Sequence, residues 1–225
     1  FEDCRAHYRH PEKVVVTGTP VRGDFFTKTK AEAKEALGVN DGRPLILSFW
    51  GSLGSGAMNR AMAEFLALES AKEPFHHIHG VGEICWKSMQ QWMRDDGLEL
   101  AAHPALDVRE YIYDMASVMR AADLVICRAG ASTLSELTAL GVPAILVPSP
   151  NVTNHHQEKN AALLGDHGAA LVLAEDGLDG KKLFAAAAGL LRDDARIRSM
   201  AENMAGLGIR DATERIYQTV MSLLK

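Results

Sequence analysis

Nowhere in these 225 residues does an apolar run approach the ~18 needed to cross a bilayer, and no charged and apolar leader with a cleavage site opens the chain. Both absences point to a soluble protein, with the cytoplasm as the expected compartment. Cysteine is scarce: Cys4, Cys85 and Cys127 are odd in number and scattered, with no CxxC, which argues against a disulfide framework and fits free thiols in a reducing compartment. Lys and Arg total 24 against 29 Asp and Glu, a net charge of -5, so no broad basic surface is available and nucleic acid is not an expected partner. Phosphate groups, where bound, must be bound locally. Neither a P-loop, which needs GK[ST] after its glycines, nor a full GxGxxG is present. An initiator Met is also missing. The chain opens Phe1-Glu2-Asp3, as expected of a fragment or an excised domain.

What is present is the composition of a globular protein, 47% hydrophobic and 24% charged, at a length that suits a single α/β domain. Residues 122–141, ADLVICRAGASTLSELTALG, organise it. Leu124 to Cys127 form the apolar run expected of a strand buried in a parallel sheet, Arg128-Ala129-Gly130-Ala131 turn the chain, and Leu134, Leu137 and Leu140 recur at helical spacing. Ser132 and Thr133 are expected to cap this helix, Gly141 to end it and Pro143 to block its continuation. A helix amino terminus at the carboxyl edge of an open sheet offers a phosphate unpaired N–H groups and roughly half a positive charge. Glu136, one turn in, is placed to accept hydrogen bonds from ribose hydroxyls. A tight turn followed by an exposed glutamate accounts for the same residues equally well.

A second junction of this kind runs from a strand at residues 45–49 into Trp50-Gly51-Ser52-Leu53-Gly54-Ser55-Gly56, followed by a helix whose apolar face holds Met62, Phe65, Leu66 and Leu68. Further strands are expected at 75–79, 98–101, 143–147 and 169–173, and helices at 28–37, 84–93, 180–192, 195–206 and 211–224. Residues 107–119 begin as a loop and become helical. On the 75–79 strand, alternation sends His77 and His79 to one face and His76 to the other, with no Cys or carboxylate nearby to complete a ligand set. No metal and no cofactor are expected. A 148–154 loop stiffened by Pro148 and Pro150 leads into a helix opened by His155, His156, Gln157, Glu158, Lys159 and Asn160, side chains that suit sugar hydroxyls or simply water. At the other end, Gly18 and Pro20 bend the chain, so residues 1–26 read as a linker and first extended segment and 27–225 as the domain. Arg22, just past the bend, reads on its own as a solvated arginine. The alternation of strand and helix gives the fold class: α/β, a single Rossmann-like doubly wound parallel sheet.

Several motifs in order now resemble one family. Gly18-Thr19-Pro20-Val21-Arg22, Ser52-Leu53-Gly54, Tyr111-Ile112-Tyr113-Asp114-Met115, the 123–137 run DLVICRAGASTLSEL, His156-Gln157-Glu158-Lys159-Asn160-Ala161 and Asp211-Ala212-Thr213-Glu214-Arg215 are similar to the carboxyl-terminal, donor-binding domain of the MurG family. These are the peptidoglycan UDP-N-acetylglucosamine transferases of glycosyltransferase family 28, and the domain is one half of a GT-B fold. The resemblance covers nearly the whole chain. It implies that Arg22 and the loop of Ser52 face the donor diphosphate, and that the backbone amides of Ala129, Gly130 and Ala131 meet a phosphate. It implies too that the main chain of Ile112 reads uracil, Glu136 holds the ribose hydroxyls, and Gln157, with His156 beside it, contacts the sugar.

The activity so implied is transfer of N-acetylglucosamine from UDP-GlcNAc to undecaprenyl-diphospho-muramyl-pentapeptide, lipid I to lipid II, with inversion and without a metal. The lipid-linked acceptor and the base would belong to an amino-terminal domain, absent here, and the parent enzyme would sit peripherally on the cytoplasmic face of the membrane. Little turnover is expected from this half alone. A related UDP-sugar glycolipid transferase, or a non-catalytic nucleotide-binding subunit, would share the same turn and glutamate. One departure stands out: Trp50 occupies the place where the family commonly has the first of two glycines. A positive φ there would cost about 1 kcal/mol or more and reshape the loop.

Overall fold

Short apolar runs bounded by Gly, Pro or Asp become the strands of a computed structural model that describes Arg5, residues 8–72 and residues 74–224. The strands are β1 (Leu45–Phe49), β2 (His76–Gly80), β3 (Leu106–Arg109), β4 (Leu124–Cys127), β5 (Ala144–Leu146) and β6 (Ala170–Val172). They form one six-stranded sheet in the order β3-β2-β1-β4-β5-β6, with every neighbouring pair parallel. The helices are α1 (Lys30–Ala36), α2 (Gly56–Ser70), α3 (Trp86–Asp95), α4 (Met115–Ala121), α5 (Ala131–Leu140), α6 (His156–Asp166), α7 (Gly180–Leu191), α8 (Asp194–Gly206) and α9 (Ala212–Leu223). The doubly wound Rossmann-like fold is therefore the observed one.

Both sheet faces are covered, which is why the central strands are apolar at successive positions and do not alternate. On one face Leu45, Leu47, Val125 and Leu146 pack with Ala33 of α1, Met119 of α4, Leu134 of α5 and Leu164 of α6. On the other Ile46, Ile126 and Ile145 meet Met62 and Phe65 of α2, Met89 of α3 and Leu183 of α7. Phe25, in a single 3-10 turn at Gly23–Phe26, is buried in the first of these clusters. Asp123, at the start of β4, accepts from the Leu45 amide at 2.7 Å and pairs with Lys30 and Lys34 of α1, so one carboxylate ties α1 to the two central strands.

Local sequence signals decide where several helices begin and end. Thr29 and Glu32 form a reciprocal capping box on α1. Gly141 takes the left-handed conformation, φ 70° and ψ 38°, and closes α5 as expected. The expected capping by Ser132 and Thr133 is not found: α5 starts at Ala131, its N-cap is Gly130, and both hydroxyl residues lie inside the first turn. No side chain caps that helix.

The expected strand at 98–101 is also corrected. Leu100–Ala102 is a 3-10 turn, and β3 lies further on, at Leu106–Arg109, within a stretch read as loop. The cause is its position at the sheet edge, where half-exposed Asp107 and Arg109 break the apolar run that marks a buried strand. Cys85 and Cys127 are buried and unpaired, while Cys4 lies outside the described residues. No helix among the described residues is long and apolar enough to cross a membrane.

Candidate functional site

Strand order reverses between β1 and β4: the chain moves outward to β2 and β3 on one side, then to β5 and β6 on the other. Connections leaving β1 and β4 therefore diverge and open a crevice at their carboxyl ends, the place where ligands collect in such sheets. A cleft of about 760 Å³ lies there, lined by the loop after β1, the turn after β2, the loop after β3, Arg22 and the first turns of α5.

Of the residues singled out in the sequence, Arg22, Ser52, Ile112 and Glu136 all line this cleft. Arg22 stacks over Phe25 at 5.5 Å, and its guanidinium lies 3.5 Å from Asp24. Ile112 is buried in the core and also lines the cleft. It packs closely on Gly80, where a Cβ would come to 3.0 Å from its Cδ1. Glu136 is half-buried and accepts no hydrogen bond from any described residue. Burial pushes its carboxyl above the ordinary glutamate range, the positive charge of Arg22 opposes that shift, and Asp24 adds to it.

Ala129, Gly130 and Ala131, which join β4 to α5, do not line the cleft. Ala129 is fully buried and its carbonyl accepts from Asn160 of α6 at 3.1 Å. Gly130 is the N-cap, so the first N–H groups of α5 are left without a side-chain partner at this edge. His156 and Gln157 stand apart, in the first turn of α6. The His156 ring donates from Nδ1 to the Thr153 carbonyl at 2.9 Å, and the Gln157 Oε1 accepts from the Ser149 amide at 2.9 Å. The amide NH₂ of Gln157 and one lone pair of its oxygen are left for a ligand. Asn154 and His155, just before, hold positive φ values of 56° and 51°, an unusual backbone for residues with side chains.

Other lining residues were not anticipated. Tyr111 and Tyr113 flank Ile112, with ring centroids 4.9 Å apart, and Glu83, Glu110 and Thr133 complete the walls. The loop carrying the tyrosines is held by Arg109, which pairs with Asp107 at 2.6 Å and Asp114 at 2.8 Å. A signal was present in the two tyrosines at alternate positions around Ile112. Arg128 was read only as part of a turn. It is largely buried, donates to the Val147 carbonyl, Glu175 and the Ser55 hydroxyl, and lies 5.9 Å from the centre of the Trp50 ring. With those donors engaged, Arg128 braces the two junctions and does not reach into the cleft.

The feared strain at Trp50 does not arise. Trp50 is absent from the positive-φ residues, whereas Gly51 and Gly54 take φ 86° and 82°. Its indole is buried on the α2 side of the sheet, so the loop turns at the next residue. His77 and His79 share a face as expected, both bonding Ser48 of β1, while His76 meets Asp41 on the other. Among the described residues, no group of three or more His, Cys, Asp or Glu side chains gathers as a metal site would.

Known proteins share this sequence and fold. Residues 45–216 match the Glycosyltransferase family 28 C-terminal domain. The chain is 38% identical over 225 residues to the UDP-N-acetylglucosamine--N-acetylmuramyl-(pentapeptide) pyrophosphoryl-undecaprenol N-acetylglucosamine transferase of Acetivibrio thermocellus, covering 100% of this chain and 60% of that relative. It is likewise 38% identical over 223 residues to the same-named protein of Caldanaerobacter subterraneus subsp. tengcongensis, again 60% of whose length it covers. The crystal structure of Acinetobacter baumannii MurG superposes with a TM-score of 0.71 at 28% identity, over 93% of this chain and 56% of that one. The chain thus spans about 60% of the length of the curated relatives it matches. With residues 45–216 inside the family's own domain and the whole chain aligned with its members, the chain belongs to the glycosyltransferase family 28 C-terminal domain family.

Proposed function

We propose that this chain binds UDP-N-acetylglucosamine in the cleft at the β1–β4 crevice, as the donor half of a GT-B transferase that carries N-acetylglucosamine to undecaprenyl-diphospho-muramyl-pentapeptide. The single observation that supports it most is Glu136: a half-buried carboxylate with no hydrogen-bond donor, one turn into a helix whose amino terminus is uncapped. A ribose supplies two hydroxyl donors and the attached diphosphate supplies the anion that such a terminus favours. Uracil would then lie toward the main chain of Ile112, with the diphosphate between Ser52, Arg22 and the Ala129-Gly130-Ala131 turn. The sugar would reach Gln157 and His156.

The reaction in this reading is a displacement at the anomeric carbon. An acceptor hydroxyl oxygen forms the new bond, the bond from that carbon to the diphosphate oxygen breaks with its electron pair leaving on UDP, and the hydroxyl proton passes to a base outside this chain. Negative charge grows on the diphosphate, where Arg22 and the N–H groups of α5 stabilise it. The parent protein would work at the cytoplasmic face of the membrane, where its lipid-linked acceptor lies.

Two results test the reading. Glu136→Ala is expected to weaken UDP by about tenfold or more, because hydrogen bonds to a charged group contribute ~1.5 to 3 kcal/mol, while pyrophosphate binding stays unchanged. Equal losses for both ligands would show that Glu136 supports the helix and leaves the ribose alone. Ribose hydroxyls donate to the ionised carboxylate, so wild-type affinity should be complete above the raised carboxyl pKa and fall as pH drops through it. The Glu136→Ala chain, carrying only the titration of UDP itself, should lack that component.

Gln157 Oε1 accepts from the Ser149 amide, which orients the side chain and leaves its NH₂ and the second lone pair of the oxygen for a sugar hydroxyl. Gln157→Ala should leave UDP affinity within about twofold and lower the preference for UDP-N-acetylglucosamine over UDP-N-acetylgalactosamine by ~1 kcal/mol. A variant that loses UDP itself, or that keeps its full preference, would remove Gln157 from sugar recognition.

A further inference from the structure

Behind the glycine loop, away from the cleft, Ser48 of β1, His77 and His79 of β2, and Asn59 and Glu69 of α2 are all buried. They make one continuous chain. Glu69 Oε2 lies 2.7 Å from His77 Nδ1, His77 Nε2 is 2.7 Å from Ser48 Oγ, and Ser48 Oγ is 2.7 Å from His79 Nδ1. His79 Nε2 then lies 3.0 Å from Asn59 Oδ1, and Asn59 Nδ2 donates to the Val81 carbonyl at 2.9 Å.

The direction of every bond is set by its last member. A carbonyl only accepts, so Asn59 must turn its NH₂ to Val81 and its oxygen to His79. His79 is held neutral, its pKa pushed down to about 3 chiefly by burial and then by the neighbouring His77. Its one proton therefore sits on Nε2, and Nδ1 accepts from the Ser48 hydroxyl. The 3.2 Å approach of Nδ1 to the Ser48 carbonyl is then a contact and not a bond. Ser48 accepts in turn from His77 Nε2–H, leaving the His77–Glu69 pair to share one further proton. At its outer end the second Glu69 oxygen, Oε1, is buried without a partner among the described residues, but from His77 to Val81 every polar group in the chain is paired, and cutting that run leaves buried groups unpaired.

What the chain holds still is the backbone under the glycine loop. A Cβ on Gly54 would stand 2.2 Å from the Val81 carbonyl oxygen, and a Cβ on Gly82 would stand 2.4 Å from the Gly54 nitrogen. The two segments therefore interlock with no room between them. Gly51, Ser52 and Gly82 are the parts of this interlock that face the cleft.

We infer that Asn59 and His79 are positioning residues for the donor diphosphate: Asn59 fixes the Val81 carbonyl, the carbonyl fixes Gly54, and Gly54 fixes the Gly51-Ser52 edge of the cleft. Neither side chain touches the ligand. The inference rests on the UDP-sugar reading above, but it concerns the diphosphate end alone, since uracil and ribose are assigned to Ile112 and Glu136.

The decisive variant is Asn59→Asp in the 225-residue chain, titrated with UDP and, separately, with uridine. The substitution keeps an oxygen for His79 Nε2–H and turns a second oxygen on the Val81 carbonyl, where a donor is needed. Expected are a loss in UDP affinity of about tenfold or more, equal to ~1.4 kcal/mol, uridine affinity within about twofold, and faster hydrogen exchange at the Gly54 amide without ligand. A folded variant that loses UDP and uridine together, or loses neither, overturns the inference and leaves the functional reading standing. Wild-type protein that binds neither ligand overturns both. Should Asn59→Asp not fold, Ser48→Ala, which cuts the chain on the far side of His79, is held to the same outcomes with a smaller expected loss of about threefold.

Discussion

Arg128→Met is expected to destabilise the fold by about 3 to 5 kcal/mol, seen as a drop in melting temperature on the order of 10 °C. Arg128 and Glu175 are 2.6 Å apart with side-chain exposures of 12% and 19%, so their attraction is little screened by water. Met keeps the volume and the packing on Trp50 but leaves the Glu175 carboxylate without its counter-charge, along with the Val147 carbonyl and the Ser55 hydroxyl. The cost comes from the unpaired charge more than from the lost pair. Arg128→Met combined with Glu175→Gln should therefore recover much of the loss, and Arg128→Lys, with a charge but no fork, should fall between. A double variant no more stable than Arg128→Met alone would show that the arginine acts through packing.

Gly54→Ala should cost more than Gly51→Ala, although both glycines hold nearly the same positive φ, 82° and 86°. At Gly51 a Cβ meets nothing within 4 Å, so only the backbone penalty applies, roughly 1 to 3 kcal/mol. At Gly54 the same penalty is joined by a Cβ placed 2.2 Å from the Val81 carbonyl oxygen, an overlap that backbone must move to relieve. Overpacking of this kind adds about 1 to 3 kcal/mol. Urea denaturation of the two variants gives the comparison. Equal midpoints would mean that the loop does not rest on Val81 in solution, and the interlock described above would fall with that result.

The parts of the molecule legible in its sequence are those decided by local signals. Leu45–Phe49 and Leu124–Cys127 were readable as strands because burial on both faces leaves an unbroken apolar run, and Gly141 as a helix end because a left-handed residue favours glycine. β3 was not readable, since an edge strand with Asp107 and Arg109 has no such run. At the site, Arg22, Ser52, Ile112 and Glu136 were named in advance and lie together around one cleft, while Gln157 and His156 stand one strand away on α6. Tyr111 and Tyr113 went unassigned although their motif was noted. The bracing role of Arg128 and the chain from Glu69 to Val81 were invisible, because both depend on side chains far apart in sequence meeting across the sheet. A lone histidine on a strand carries no mark of whether it faces a ligand, a metal or another buried polar group.

Calorimetry of the folded 225-residue chain with UDP, UDP-N-acetylglucosamine and NAD reads the central claim most directly. Binding of UDP and UDP-N-acetylglucosamine, greatly weakened by Glu136→Ala and with no matching signal from NAD, is the expected result. No heat from either uridine nucleotide at millimolar ligand, with the chain shown to be folded, would contradict it.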